Sequence, residues 1–144
     1  MVATANDVTA LPTETLRRGR FDEIFFLDLP TEAERREIVN VHLRKRRRDP
    51  AVFGIRRLAM ECEGYTGAEL EQAIIDAMYQ AFADERGIRS EDIIAAIART
   101  VPLSKSHREV IERLRSWLRD GRAQSASFAA ASLAAQAQVR LELD

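Results

Sequence analysis

From Pro30 onward, apolar and polar positions recur with the period of an α-helix. Thr31 and Glu34 form a capping-box pattern, Glu32 also sits in the first turn, and Ile38, Val41 and His42 then fall on one face. This helix is predicted to run out in Arg44-Lys45-Arg46-Arg47-Arg48 and to stop at Asp49-Pro50. A short second helix over 55–63 would bury Leu58, Ala59 and Cys62, with Gly64 as its C-cap. Thr66 and Glu69 repeat the capping box. Behind them Leu70, Ala73, Ile74, Ala77, Met78, Ala81 and Phe82 make an unbroken i, i+3, i+4 stripe that Gly87 ends. Ser90 caps a fourth helix, with Glu91 and Asp92 in its first turn and Ile93, Ile94 and Ile97 as apolar contacts. Four short helices joined by turns can close a small bundle.

The flanks read differently. Met1-Val2-Ala3 and the run from Ile24 to Asp28 are short apolar stretches read as strands. After Val101-Pro102-Leu103 the bundle ends. Ser106 and Glu109 then suggest a capped fifth helix to about Asp120, with Ile111, Leu114, Trp117 and Leu118 on one side and Gly121 closing it. Trp117 is read as packing on the bundle, with partner binding as the alternative. Residues 122–144 are rich in Ala, Ser and Gln and read as a frayed helix or disordered tail. No internal repeat is present.

Composition narrows the class. A chain of 144 residues, 46% hydrophobic and 31% charged, has room for one modest core and is not disordered overall. Its single cysteine, Cys62, excludes an internal disulfide framework, supplies no metal motif and reads as a small core residue. No apolar run approaches a membrane span, so a cytoplasmic protein without a membrane partner is expected. The net charge of −1 hides segregation. Residues 31–60 hold nine basic and four acidic side chains, and residues 61–100 hold three basic and nine acidic. That asymmetry suits basic-on-acidic packing between neighbouring subunits. The block Arg44 to Arg48 reads as a solvated helix end ahead of a nucleic-acid site, because no aromatic residues interleave it.

The chemistry is concentrated near the N-terminus. Asn6 follows the first apolar run, and an amide at the end of a strand is well placed to orient a water. Arg17 and Arg20 flank Gly19 and present two permanently charged planar groups, the side-chain type that neutralises charge on a transferring phosphoryl group. The segment from Thr4 to Asp22, ending Leu16-Arg17-Arg18-Gly19-Arg20-Phe21-Asp22, resembles the second region of homology of the AAA subfamily of AAA+ ATPases. On that resemblance Asn6 is the sensor-1 residue that orients the attacking water. Arg17 and Arg20 are arginine fingers that reach the nucleotide of a neighbouring subunit. The chain departs from the family at Arg18, where proline is usual, and at Leu11-Pro12-Thr13, where Leu-Asp-Pro is usual.

The resemblance extends into the helices. Gly64-Tyr65-Thr66-Gly67-Ala68-Glu69-Leu70 is similar to a segment of the AAA lid domain in which Gly67 and Ala68 would open a helix whose backbone contacts nucleotide. Ile38 and His42 match lid positions that pack on adenine and ribose. Taken alone, His42 reads equally as a partly buried helix residue. The implied fold is mainly α. Residues 1–30 would be a remnant of the α/β core, with two strands and the arginine-finger segment. A four-helix lid bundle over 31–103, a C-terminal helix over 104–121 and a tail over 122–144 would follow.

The implied cofactor is ATP, with magnesium bound in the complete family module and no metal ligand in this chain. The implied partners are identical subunits in a ring and a protein client. The sequence has no G-x-x-x-x-G-K-[ST] loop, neither Lys45 nor Lys105 follows a glycine, and Leu29 follows Asp28 where a catalytic glutamate would stand. A chain opening directly inside a strand is read as a truncated reading frame, inactive alone, with a naturally short protein as the alternative. Two other classes stay open: a non-catalytic module docking on a complete AAA partner, and a helical nucleic-acid binder using Arg44 to Arg48.

Overall fold

The computed structural model describes residues 3–5 and 23–127. Asn6, Arg17 and Arg20 lie outside the described residues. The chain divides into two compact units. One comprises residues 29–108, and the other residues 1–28 together with 109–144.

The first unit is helical. Helix α1 (Glu32–Lys45) starts as the capping box predicts, with Thr31 Oγ1 accepting from Glu34 N at 3.3 Å and a Glu34 carboxylate oxygen accepting from Thr31 N at 2.7 Å. A 3₁₀ turn (Pro50–Val52) follows, capped by Asp49, whose carboxylate accepts from Ala51 N. Helices α2 (Ile55–Glu61), α3 (Gly67–Ala83), α4 (Ser90–Ala98) and the short α5 (Leu103–Ser106) complete the unit. Helix α1 packs on α2 and α3, and α4 packs on the same two, so the four helices close a ring of contacts. Val39, Leu43, Leu58, Cys62, Leu70, Ile74 and Ile93 are fully buried at its centre.

The core face of α1 differs from the expected one. Arg35, Val39 and Leu43 point inward, while Val41 is exposed and Ile38 and His42 are half-buried. An arginine can occupy the buried stripe because its polar atoms are satisfied there. Nε donates to Ala59 O at 2.7 Å and Nη1 donates to Pro30 O at 2.8 Å. Cys62 is the small core residue expected; its Sγ also donates to Ala59 O, and burial raises its pKa. The Tyr65 hydroxyl lies 2.7 Å from Ile97 O and 2.6 Å from Thr100 O, where it closes the end of α4.

Three helix ends are set by residues other than those expected. Helix α1 stops in a Schellman motif, with Arg47 at φ 55°, Arg48 N donating to Leu43 O and Arg47 N donating to Arg44 O. Helix α3 stops the same way at Glu85 (φ 52°), two residues before Gly87, with Arg86 N donating to Ala81 O and Glu85 N to Phe82 O. Its buried stripe ends at Ala81, and Phe82 is 82% exposed. Arg89, not Ser90, is the N-cap of α4. The Asp92 carboxylate accepts from Arg89 N at 2.8 Å, and Ser90 Oγ instead accepts from Gly54 N at 3.0 Å. The fifth helix expected from Ser106 to about Asp120 forms over Arg108–Arg119, and the short α5 precedes it, with Ser106 Oγ bonding back toward Pro102 O and Leu103 O.

The second unit, as far as it is described, holds β1 (Phe25–Phe26), α6 (Arg108–Arg119, all but its first residue) and β2 (Gln124–Ser125). The strands are parallel, with Gln124 N donating to Ile24 O at 2.8 Å and Ala126 N to Phe26 O at 2.9 Å. Gln124 and Ser125 thus form a strand where a frayed helix or disordered tail was expected. Residues 3–5 carry no regular secondary structure, so the strand expected over Met1-Val2-Ala3 is absent at Ala3, and its first two residues lie outside the described ones. Gly121 (φ 67°) closes α6 as predicted. No helix among the described residues is long and apolar enough to cross a membrane.

Candidate functional site

Four of the seven candidate residues are described, Ile38 and His42 on α1 and Gly67 and Ala68 at the start of α3. A Cβ built on Gly67 would lie 3.7 Å from Ile38 Cδ1, an ordinary van der Waals distance. One turn further along each helix, His42 Nδ1 lies 3.3 Å from Glu71 Oε1. The two helices therefore advance side by side, with Ile38 and His42 of α1 facing Gly67 and Glu71 of α3.

The start of α3 determines what this face can bind. Thr66 Oγ1 accepts from Glu69 N at 3.3 Å, and one Glu69 carboxylate oxygen accepts from both Thr66 N and Thr66 Oγ1 at 2.8 Å. The other oxygen accepts from Leu103 N at 2.8 Å, which ties the chain after α4 back to α3. The negative charge that a helix N-terminus favours is thus already supplied by Glu69. The amides of Gly67 and Ala68 have no acceptor among the described residues and remain as donors. Beside Glu69 they suit neutral acceptors, such as ring nitrogens and sugar oxygens, better than a second anion.

His42 sits in a charged cluster that sequence reasoning did not identify. Glu71 Oε1 accepts from Arg46 Nη2 at 2.8 Å and lies 3.6 Å from Lys45 Nζ. Arg46 Nη1 also donates to His42 O at 3.1 Å. The hydrogen bond from Arg46, followed by the charges of His42 and Lys45, lowers the Glu71 pKa. Two members of the basic block Arg44 to Arg48 are therefore paired with α3 of the same chain. The signal was present in the sequence: Glu71 lies four residues past Gly67 as His42 lies four past Ile38.

Ile38 offers an apolar surface, His42 a ring nitrogen, and Gly67 with Ala68 two backbone donors. No group of His, Cys, Asp or Glu that could hold a metal ion occurs among the described residues. Asp28 is bound by Arg115.

Residues 55–98 match the family model of the AAA+ lid domain. The chain is 50% identical over 129 residues to the uncharacterized AAA domain-containing protein ycf46 of Pyropia yezoensis, covering 89% of this chain and 26% of that protein. It is 35% identical over 111 residues to ATP-dependent zinc metalloprotease FtsH 2 of Petrotoga mobilis, covering 75% and 18% respectively. It is 34% identical over 98 residues to the proteasome-activating nucleotidase of Aeropyrum pernix, covering 67% and 24%. The chain spans about a quarter or less of the length of these relatives.

Proposed function

The chain belongs to the AAA+ family through its lid domain, and on that premise we propose that it supplies the lid and the arginine-finger segment of a ring-forming ATPase that remodels a protein client. The observation that supports this reading is the approach of Ile38 to Gly67 and of His42 to Glu71 on the paired faces of α1 and α3, beside the unpaired amides of Gly67 and Ala68. In this reading Ile38 packs on adenine, His42 meets the ribose, and the free amides of Gly67 and Ala68 donate to neutral acceptors of the nucleotide. The room at Gly67 supports it, since packing within the unit does not demand glycine there.

Asn6 would orient the attacking water, and Arg17 and Arg20 would neutralise charge on the γ-phosphate bound by a neighbouring subunit. The sequence holds no phosphate-binding loop, so the chain by itself binds nucleotide weakly through its lid and does not hydrolyse it. Magnesium is assigned to the complete module.

Titration of the isotopically labelled chain with ADP, followed by amide and histidine resonances, tests the reading. Shifts centred on Ile38, His42, Gly67 and Ala68 are expected. Shifts absent at these four residues, or spread evenly over the basic side chains, would overturn it.

A further inference from the structure

Helix α3 carries a second apolar stripe. Ile75, Met78, Tyr79 and Phe82 follow i, i+3, i+4, i+7 spacing on a face rotated away from the buried stripe. Tyr79 is 71% and Phe82 82% exposed. With Ile88 they line an open groove of about 490 Å³. Two exposed aromatic rings side by side on one helix are not explained by scattered surface hydrophobics.

The rim of this groove has one sign of charge. Arg46, Arg48 and Arg86 line it, and no carboxylate does. Two of these arginines are held from behind: Arg46 by Glu71, and Arg86 by both oxygens of Asp92 and by Asp84. Hydrogen bonding from Arg86 lowers the Asp92 pKa, so that anchor stays ionised. Arg48 has no carboxylate partner among the described residues. The rim therefore combines oriented guanidiniums with one whose charge is uncompensated.

We infer that this groove docks an acidic amphipathic segment of a partner protein, its apolar side chains seated on Met78, Tyr79 and Phe82 and a carboxylate on Arg48. The stripe from Ile75 to Phe82 is about two helical turns long, the length over which helix-in-groove recognition places its anchors. Arginine is the side chain that pairs a carboxylate through a planar fork. Arginines with aromatic rings are also the parts of a single-stranded nucleic-acid site. Here, however, Ile75, Met78, Ala81 and Ile88 are aliphatic and offer bases no flat face to stack on.

Selection of a random dodecapeptide display library on the full chain, with counter-selection on the Phe82→Asp chain, tests the proposal. Enriched peptides should pair Asp or Glu with Leu, Ile, Phe or Trp at helical spacing. A synthetic copy of the most enriched peptide should lose affinity about tenfold on Phe82→Asp and again on Arg48→Glu. Both substitutions are at exposed positions, and unchanged circular dichroism would exclude unfolding as the cause. Four results would each overturn the proposal. They are no enrichment, enrichment of basic peptides, displacement of the peptide by oligothymidylate, and self-association of the chain that Phe82→Asp abolishes.

Discussion

Arg115 grips Asp28 across 87 positions of sequence: Nε donates to both carboxylate oxygens at 3.1 and 2.9 Å, and Nη2 donates to one of them at 2.9 Å. These hydrogen bonds raise the pKa of Arg115, and a planar fork makes them together in a way an ammonium cannot. The pair joins the residues after β1 to α6, and β2 follows α6 onto β1. Arg115→Ala and Arg115→Lys should both speed hydrogen exchange at the Gln124 and Ala126 amides by about tenfold, corresponding to ~1.4 kcal/mol. Unchanged protection in Arg115→Lys would show that charge alone suffices.

Backbone conformation gives a prediction of opposite signs. Glu85 adopts a left-handed φ that costs a non-glycine residue about 1 kcal/mol. Glu85→Gly should therefore stabilise the helical unit by up to ~1 kcal/mol in urea unfolding. Gly64→Ala should destabilise by more than that. Its φ is 82°, and an added Cβ would approach Ser104 Oγ to 2.5 Å.

Gly67 separates packing from function. A Cβ there meets only Ile38 Cδ1 at an ordinary distance, so Gly67→Ala should leave stability within about 0.5 kcal/mol of the parent. The ADP-induced shifts of Ile38 and His42 should shrink in the same protein. A large stability loss with an intact ADP response would assign the glycine to packing.

Asp92 links stability to pH. Hydrogen bonds from Arg86, then from Arg89 N, hold its carboxyl below the usual range. A group whose folded pKa is depressed contributes stability above its unfolded pKa, about 3.9, and loses it as pH falls through the folded value. Asp92→Asn should cost about 1 kcal/mol at neutral pH after solvent screening, with the gap to the parent closing toward about pH 2. Urea unfolding of both proteins across that range checks it.

On the proposed reading, in a complete ATPase module carrying this segment Arg17→Ala and Arg20→Ala should each leave ATP binding near normal and lower turnover by about a thousandfold. Mixing either with a subunit lacking its phosphate-loop lysine should restore part of the activity. Parental turnover in both variants would reduce the Gly19-Arg20-Phe21-Asp22 turn to a structural role.

What the sequence disclosed was local. The boxes Thr31–Glu34 and Thr66–Glu69 span three residues each, and both form as their spacing predicts. The AAA+ lid assignment rested on such local patterns around Ile38, His42 and Gly67, and the family match over 55–98 agrees. Nonlocal partners were out of reach. Arg35 looks like a surface cation until Ala59 O and Pro30 O are placed beside it. Phe82 continues an apolar stripe by spacing, but the buried stripe of α3 ends at Ala81 and Phe82 is exposed. Gly87 looked like the natural helix stop, yet Glu85 takes the left-handed position because Arg86 N can reach Ala81 O from there.

The order of the two units along the chain has a mechanical consequence. Residues 29–108 are inserted between the parts of the other unit, so the backbone enters the helices once and leaves them once. A body held by a single thread can spin about it, whereas one held by two must wind them around each other to turn. Severing the chain at one crossing would leave the helices attached through the other.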